Sequence, residues 1–169
     1  MAESFAIGAL VFLPMLVEAL RASTNDRAQR SRGGVEPTDD VYRAMRVAYP
    51  AAFLLMIAEG LWRGGAPAPL FMSGVLLFAF AKALKWWAIT ALGSAWTFRV
   101  IVVPGSPLVA GGPYRFVRHP NYIAVVGELV GTALMAGALF AGAAGTAGFA
   151  VLLRKRIAVE ERALAGRDL

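Results

Sequence analysis

The sequence has no cysteine, a single histidine and few charges, which occupy 17% of its 169 positions. Without cysteine the chain can form no disulfide, no thiolate nucleophile and no thiolate metal site. One histidine argues against a histidine-based metal centre, so no metal ligands are assigned. Hydrophobic residues make up 58% of the chain, more than a soluble domain usually carries. The composition therefore excludes thiol chemistry and favours a protein whose solvent is the lipid bilayer.

The apolar residues lie in long blocks separated by polar segments. Three blocks have the length of single membrane-spanning helices. The fourth, 123–153, is too long for one span of about 20 residues and too short for two full ones. Its Gly/Ala-rich middle, "MAGALFAGAAGTAG", suits a tight turn between closely packed helices. The sequence therefore predicts an all-α integral membrane protein, a single domain over 1–169 with a C-terminal helical hairpin and about five spans: 4–20, 47–62, 69–92, 121–138 and 142–158.

The placement of lysine and arginine predicts how these spans are oriented. The net charge is +6, but the basic residues flank apolar blocks, which indicates membrane topology rather than binding to nucleic acid. The segments 21–46, 93–120 and 154–169 are basic, whereas the opposite side carries only Arg63. By the positive-inside rule these three segments are cytoplasmic and the N-terminus is outside. The polar stretch 23–40 is expected to be a mobile loop.

The first apolar block is expected to be a retained span. Its start, "MAESFAIGAL", has no basic n-region and no small-residue cleavage site before the charged segment, unlike a signal peptide. The Ala/Gly/Arg-rich composition is typical of bacterial proteins. We therefore expect a location in the bacterial inner membrane, in contact with membrane lipids.

The stretch "GGPYRFVRHPNY", residues 111–122, gathers the histidine with arginines, tyrosines and prolines directly before the fourth apolar block. One interpretation is a plain helix start, with Pro120 in an early helical position and the tyrosines as interfacial anchors. The other is a binding site, because a long glycine-containing loop precedes it and a helix N-terminus near arginines favours anionic groups. A cofactor that bears a carboxylate would suit the second interpretation.

A second polar motif, "RKRIAVEERAL", lies where the last helix is expected to continue beyond the membrane. Arg156 and Glu160 are four residues apart and so share one helix face. This motif is either an exposed helix decorated with salt bridges or part of the same site as the basic loop. The second interpretation is favoured by its place on the same side of the membrane.

Glu128 lies inside the fourth block, where a carboxylate is costly and usually faces a partner or a cavity. Glu128 and Lys85 are each seven residues, about 10 Å, from the expected cytoplasmic ends of their spans. Glu128 is then either in a structural ion pair with Lys85 or part of the polar wall of a substrate cavity. Glu18 and Glu59 lie near span ends and are expected only to reach the interface.

The two polar motifs together resemble a known family. "SPLVAGGPYRFVRHPNY", followed about 35 residues later by "RIAVEERAL", is similar to the isoprenylcysteine carboxyl methyltransferase family and more distantly to phospholipid methyltransferases. The resemblance covers about 85–164. Sterol reductases carry a similar "RHPNY", but its pairing with an R-x3-EE motif is more specific for the methyltransferases. An NADPH-dependent membrane reductase of the sterol-reductase type and a non-catalytic membrane scaffold are the alternatives.

The resemblance implies a membrane methyltransferase that binds S-adenosylmethionine on its cytoplasmic face and has Arg156 facing the substrate. It places these residues at the cofactor: Leu108, Val109, Tyr114, Arg118, His119, Pro120, Asn121, Tyr122, Glu160 and Glu161. The chain departs from the eukaryotic pattern at Ser106, at 112–113 and at Asn121, which weakens the case for prenylcysteine as the acceptor. A lipophilic small molecule or lipid that enters from the bilayer is expected instead.

Methyl transfer from a sulfonium is an in-line displacement of an already activated group. The protein mainly has to align the nucleophile and exclude water. The expected acceptor is a carboxylate or phenol oxygen. Arg156 would orient an anionic oxygen, and His119 or Glu128 would accept the proton of a phenol or an amine. Arg156 and Glu128 are therefore the candidate catalytic residues.

Overall fold

The computed structural model describes residues 2–166, which form five α-helices: α1 Ala2–Ser31, α2 Tyr42–Arg63, α3 Ala68–Leu92, α4 Pro120–Ala136 and α5 Leu139–Ala165. Two short 3-10 helices, Gly93–Ala95 and Gly112–Arg115, lie in the long connection between α3 and α4. Within the described part of the chain there is no strand, and one isolated β-bridge pairs Val35 with Val102. The predicted all-α fold class is confirmed.

Three helical segments are long and apolar enough to cross a membrane: Glu3–Ser31, Tyr42–Arg63 and Ala68–Ala95. α4 is apolar but has 17 residues, and α5 ends in a charged segment. The number of five spans therefore stays a prediction, since about 20 residues are needed to cross the bilayer. Large apolar side chains on α1 to α3 are exposed, as expected for helix surfaces that contact lipid: Leu13, Leu16, Leu20, Leu54, Leu55, Leu76 and Phe80.

α4 and α5 form the predicted C-terminal hairpin around Gly137. Gly137 has a φ of 68°, in the left-handed region that glycine adopts without strain, and its N–H bonds to carbonyls at the end of α4. Glu59 of α2 accepts hydrogen bonds from the N–H groups of Phe140 and Ala141 at 3.1 and 2.6 Å. These bonds satisfy two of the free donors at the start of α5 and tie the hairpin to α2.

α1 continues through residues 23–31, so the prediction of a mobile loop is wrong there. Asn25 Nδ2 donates to the carbonyl oxygens of Gly93 and Trp96 at 3.1 and 2.7 Å. Gln29 Nε2 donates to a carbonyl oxygen of the same turn at 2.7 Å. The polar residues of this segment extend the helix because they find partners in the α3–α4 connection.

The remainder of the α1–α2 connection is also held in place. Val35 and Val102 exchange two backbone hydrogen bonds of 2.9 and 3.0 Å. Glu36 binds both Arg30 and Arg99, with the Arg99 Nη1 at 2.8 Å. Burial alone would raise the pKa of Glu36, but the hydrogen bonds from the two arginines outweigh it, so the pKa lies below its ordinary value of 4.5. The α1–α2 connection is thus folded against the α3–α4 connection.

The core between the helices is apolar and aromatic. Phe53 of α2 and Leu129 of α4 are fully buried. The Tyr49 ring lies 4.8 Å from that of Phe53 and 5.0 Å from that of Phe149 of α5, measured between centroids. This packing brings the start of α4 beside the C-terminal half of α5, the two places that carry the sequence motifs.

Candidate active site

The first sequence motif forms a 3-10 helix and then the start of α4. Gly112 has a φ of 60°, and a Cβ there would lie 2.7 Å from that of Ala91, so glycine is required. Pro120 is the first residue of α4 and is buried, as the helix-start interpretation predicts. Asn121 Oδ1 is buried and has no hydrogen-bond partner within the described part of the chain. Such an acceptor is unfavourable unless a ligand or water supplies a donor, which favours a binding site.

His119, Tyr122, Glu160 and Glu161 lie together where α4 begins and α5 nears its end. Tyr122 donates its hydroxyl hydrogen to Glu160 Oε2 at 2.6 Å, and His119 Nε2 lies 3.3 Å from Glu161 Oε1. His119 Nδ1 is 3.9 Å from Glu160 Oε2, and the imidazole stacks on the Tyr122 ring with centroids 5.4 Å apart. The structure therefore brings the two polar sequence motifs into one site.

Arg156 joins this site to the α1–α2 connection. Its guanidinium donates to Asp40 Oδ1 at 2.5 Å, to the Phe98 carbonyl oxygen at 2.7 Å and to the Tyr122 hydroxyl oxygen at 3.4 Å. The Arg156 side chain is 6% exposed and that of Asp40 is 3% exposed. A guanidinium has five N–H groups and these contacts involve three of them, so further donors can serve a ligand.

Asp40 is a site residue that sequence reasoning missed, because it lies in the stretch predicted to be mobile. Its carboxylate also accepts the backbone N–H groups of Tyr42 at 3.1 Å and Val100 at 3.0 Å. A carboxylate just before a helix is a usable signal for an N-terminal cap. Its pairing with an arginine 116 residues away leaves no local signal in the sequence.

A cavity of about 1300 Å³ lies among the helix ends and the α3–α4 connection. It is lined by nine of the ten residues predicted at the cofactor and by Arg156: Leu108, Val109, Tyr114, Arg118, His119, Asn121, Tyr122, Glu160, Glu161 and Arg156. Pro120 is the exception, because it is buried as the first residue of α4. The volume is sufficient for a cofactor-sized molecule beside an acceptor.

The cavity has a polar end and an apolar end. Burial, and secondly the negative charge of Glu160, raise the pKa of Tyr114 above its ordinary value of 10.0, so its hydroxyl remains a hydrogen-bond donor at neutral pH. Between the helices most of the lining is apolar, with Met15, Met45, Val125, Phe149 and Leu153, and Glu18, Tyr49 and Lys85 add polar groups to it. A molecule with a polar head and an apolar body therefore matches the cavity.

Glu128 does not line this cavity. Its Oε2 lies 3.2 Å from Lys85 Nζ, as in the first of the two interpretations, and its Oε1 lies 3.1 Å from Lys82 Nζ. Glu18 is in the same cluster, 2.8 Å from each lysine, and is 1% exposed. The expectation that Glu18 only reaches the interface is wrong, because its side chain faces two lysines of α3 rather than lipid headgroups.

Apolar helices long enough to cross a membrane, with a large cavity among their ends, define the class of an integral membrane protein with an internal cavity. The model of the isoprenylcysteine carboxyl methyltransferase family matches residues 74–166, more than half of the chain. The chain belongs to this family of membrane methyltransferases.

Two relatives extend the similarity beyond that region. The "Uncharacterized protein YpbQ" of Bacillus subtilis (strain 168) is 29% identical over 156 residues, which cover 92% of this chain and 93% of that protein. An "Uncharacterized protein" of Haemophilus influenzae is 23% identical over 141 residues, covering 83% and 82% of the two chains. No solved structure matches the chain. The similarity to the Bacillus protein thus includes much of α1 and α2.

Proposed function

We propose that the protein transfers a methyl group from S-adenosylmethionine to the carboxylate or phenol oxygen of a lipophilic acceptor. The observation that carries this proposal is the continuous cavity that joins the His119–Glu160 end to an apolar end between the helices. A polar methyl donor and a lipophilic acceptor need these two environments side by side. Membership in the family supports the same class of reaction.

The residues at the polar end fit S-adenosylmethionine, which carries an ammonium, a carboxylate and an amino-substituted purine. Glu160 and Glu161 offer carboxylates to the ammonium, and Arg118 offers a guanidinium to the carboxylate. The unpaired Oδ1 of Asn121 needs a donor such as an amino group. These residues would hold the cofactor, which supplies a methyl group already activated by its sulfonium.

Arg156 would hold the acceptor oxygen. Its guanidinium stays protonated and is not a base, so its role is to bind and neutralise a carboxylate or phenolate. Hydrogen bonds to Asp40 and to the Phe98 carbonyl oxygen fix its orientation. His119 lines the cavity, so its imidazole is the candidate to accept the proton of a phenol. Glu128 is less suited to this task, because it is ion-paired away from the cavity surface.

The proposed arrangement has five spans, an outside N-terminus and the site on the cytoplasmic face of a bacterial inner membrane. The distribution of lysine and arginine supports this orientation. α4 is short for a bilayer core of about 30 Å, but local thinning accommodates short spans at modest cost. The acceptor would reach the apolar end of the cavity sideways from the bilayer, past Met15 and Met45.

Calorimetric titration of the detergent-purified protein with S-adenosylhomocysteine, and separately with NADPH, tests the proposal. We expect S-adenosylhomocysteine to bind and NADPH not to bind. His119→Ala and Glu160→Gln should each weaken binding by about 10- to 150-fold, since each removes a polar contact worth roughly 1.5–3 kcal/mol. Asp39→Asn is the control, because Asp39 is exposed and lies outside the cavity lining.

Methyl transfer is then measured on a panel of lipophilic carboxylates and phenols. Binding of NADPH alone would indicate a reductase, and binding of neither molecule a non-catalytic membrane protein. Unchanged affinity in both site variants would move the cofactor away from His119 and Glu160.

A further inference from the structure

Four charged side chains form a closed cluster inside the helix bundle. Glu18 of α1 and Glu128 of α4 each lie within ion-pair distance of both Lys82 and Lys85 of α3, at 2.8, 2.8, 3.1 and 3.2 Å. Tyr49 of α2 donates its hydroxyl hydrogen to Glu128. Both glutamates are 1% exposed and Lys85 is 3% exposed. With all four groups ionised, the two positive and two negative charges cancel.

Helix packing alone does not explain why this cluster is charged. Ionised groups lose hydration when buried, and well-packed apolar side chains often hold helices together at lower cost. Charged residues within membrane helices usually pair with one another or face a cavity. Here they do both: Glu18, Tyr49 and Lys85 line the cavity, whereas Lys82 and Glu128 do not. One side of the cluster is therefore a polar patch on the wall of a mostly apolar pocket.

The lining members of the cluster retain hydrogen-bonding capacity. Glu18 Oε2 is ion-paired with Lys85 Nζ at 2.8 Å and accepts a hydrogen bond from no other described residue. A carboxylate oxygen can accept two hydrogen bonds and an ammonium can donate three. A neutral hydroxyl can both donate to Glu18 and accept from Lys85. A charged ligand group would not fit, because the cluster is already neutral and an added charge would be buried without a partner.

We propose that Glu18, Lys85 and Tyr49 form a second polar subsite, which binds an uncharged hydrogen-bonding group of the acceptor remote from its methylated oxygen. The inference rests on the proposed methyl transfer and narrows its substrate class. The acceptor is a lipophilic molecule with an acidic oxygen at one end and a neutral hydroxyl or carbonyl group deeper in the bundle.

The structure also sets the approximate spacing of the two groups. Tyr122 contacts Arg156 and Glu160 at the polar end of the cavity. Glu128 follows Tyr122 by six residues on α4, a rise of roughly 9 Å at 1.5 Å per residue. The two polar groups of the acceptor should be separated by a comparable distance.

Binding of octanoate and ω-hydroxyoctanoate tests the subsite, because the extended hydroxyacid spans a comparable distance. Both are titrated calorimetrically into the detergent-purified protein, with and without S-adenosylhomocysteine. If the subsite accepts the hydroxyl, ω-hydroxyoctanoate should bind at least ~10-fold more tightly than octanoate, which equals about 1.4 kcal/mol. If the hydroxyl finds no partner, its lost hydration makes ω-hydroxyoctanoate the weaker ligand, so the two outcomes differ in sign.

Two double variants, each removing one lysine and one glutamate, separate ligand recognition from helix packing. Glu18→Leu/Lys85→Met removes the lining pair and leaves Lys82 paired with Glu128 at 3.1 Å. Lys82→Met/Glu128→Gln removes the charges of the other pair, leaves Lys85 paired with Glu18 at 2.8 Å and keeps an amide oxygen that accepts the Tyr49 hydroxyl hydrogen. Both variants keep the cluster neutral. We expect the first to abolish the preference for the hydroxyacid, the second to retain it, and both to bind S-adenosylhomocysteine like the wild type.

An equal loss of preference in both double variants would assign the cluster to helix packing and overturn the subsite. Equal or weaker binding of ω-hydroxyoctanoate than of octanoate by the wild type would overturn the subsite as well. This wild-type comparison tests the proposal even if a variant does not fold. Failure of the proposed function has a different signature. The wild type would then not bind S-adenosylhomocysteine, whereas the hydroxyacid preference would still be measured without it.

Discussion

Replacing Asp40 by alanine should destabilise the protein far more than the position of Asp40 in a polar loop suggests. Its carboxylate accepts hydrogen bonds from Arg156 and from the backbone N–H groups of Tyr42 and Val100. Both members of the ion pair are buried, at 3% and 6% exposure. Removing one member leaves the other charge buried without its counter-charge, which costs about 3–5 kcal/mol. We expect a loss in this range in the free energy of unfolding.

Asp39 provides a matched control in the same connection. Asp39 contacts Arg162 of α5 at 2.5 Å, the same distance as between Asp40 and Arg156. The Asp39 and Arg162 side chains are 57% and 66% exposed, however, so water screens this pair. Exposed pairs of this kind contribute roughly 0–1 kcal/mol. Asp39→Ala should therefore have little effect, and the difference between the two neighbouring aspartates measures the consequence of burial.

The assay is tryptophan fluorescence during unfolding by a denaturing detergent, applied to a double-mutant cycle of Asp40→Ala and Arg156→Ala. Arg156→Ala should be similarly destabilising. The double variant should be little worse than either single variant, because no uncompensated charge remains, which gives a coupling energy of about 2 kcal/mol or more. Additive effects in the cycle, or equal effects of Asp39→Ala and Asp40→Ala, would refute the reasoning.

Cysteines introduced at Ser31 and Ala165 should react with a membrane-impermeant reagent only from the cytoplasmic side, and a cysteine at Ala68 only from outside. Labelling of Ser31 and Ala165 from opposite sides would contradict the five-span topology. Arg156→Lys keeps the charge but loses the planar donor geometry. Methyl transfer at saturating cofactor should therefore fall at least ~10-fold, with little change in S-adenosylhomocysteine affinity. Turnover at the wild-type rate would mean that Arg156 has only a structural role. Because folding lowers the pKa of Glu36, the ionised carboxylate stabilises the folded protein. This stabilisation is complete above the unfolded-state pKa and disappears as the pH falls through the folded-state pKa. Denaturation midpoints should show this loss for the wild type but not for Glu36→Gln.

The sequence predicts helix boundaries well where a local signal ends an apolar run. The predicted span 69–92 corresponds to α3, Ala68–Leu92, and 121–138 corresponds to α4, Pro120–Ala136. Proline fits the first turn of a helix and glycine fits just beyond its end, so Pro120 and Gly137 mark both limits of α4. These signals act within a few residues and need no knowledge of the tertiary structure.

Hydropathy alone does not predict where α1 ends, because the helix continues well beyond its apolar part. The predicted span is 4–20, whereas α1 is Ala2–Ser31. Its polar extension is stabilised by Asn25 and Gln29, which bind carbonyl groups about 65 to 71 residues later in the chain. A polar segment that binds another polar segment has the same composition as a solvated loop, so the sequence does not distinguish the two.

The sequence likewise predicts some parts of the candidate site better than others. The residues around the proposed cofactor come from compact motifs within 74–166, the part that the family model matches. Other parts of the site come from α1, α2 and their connection, through Glu18, Tyr49 and Asp40, and each of these residues reaches a partner at least 64 positions away. Family membership therefore supports the methyl donor more directly than the methyl acceptor. If the cofactor binds as proposed, differences among relatives in acceptor should follow the residues of α1 and α2 that line the cavity, because those side chains can change without altering the motifs around the cofactor.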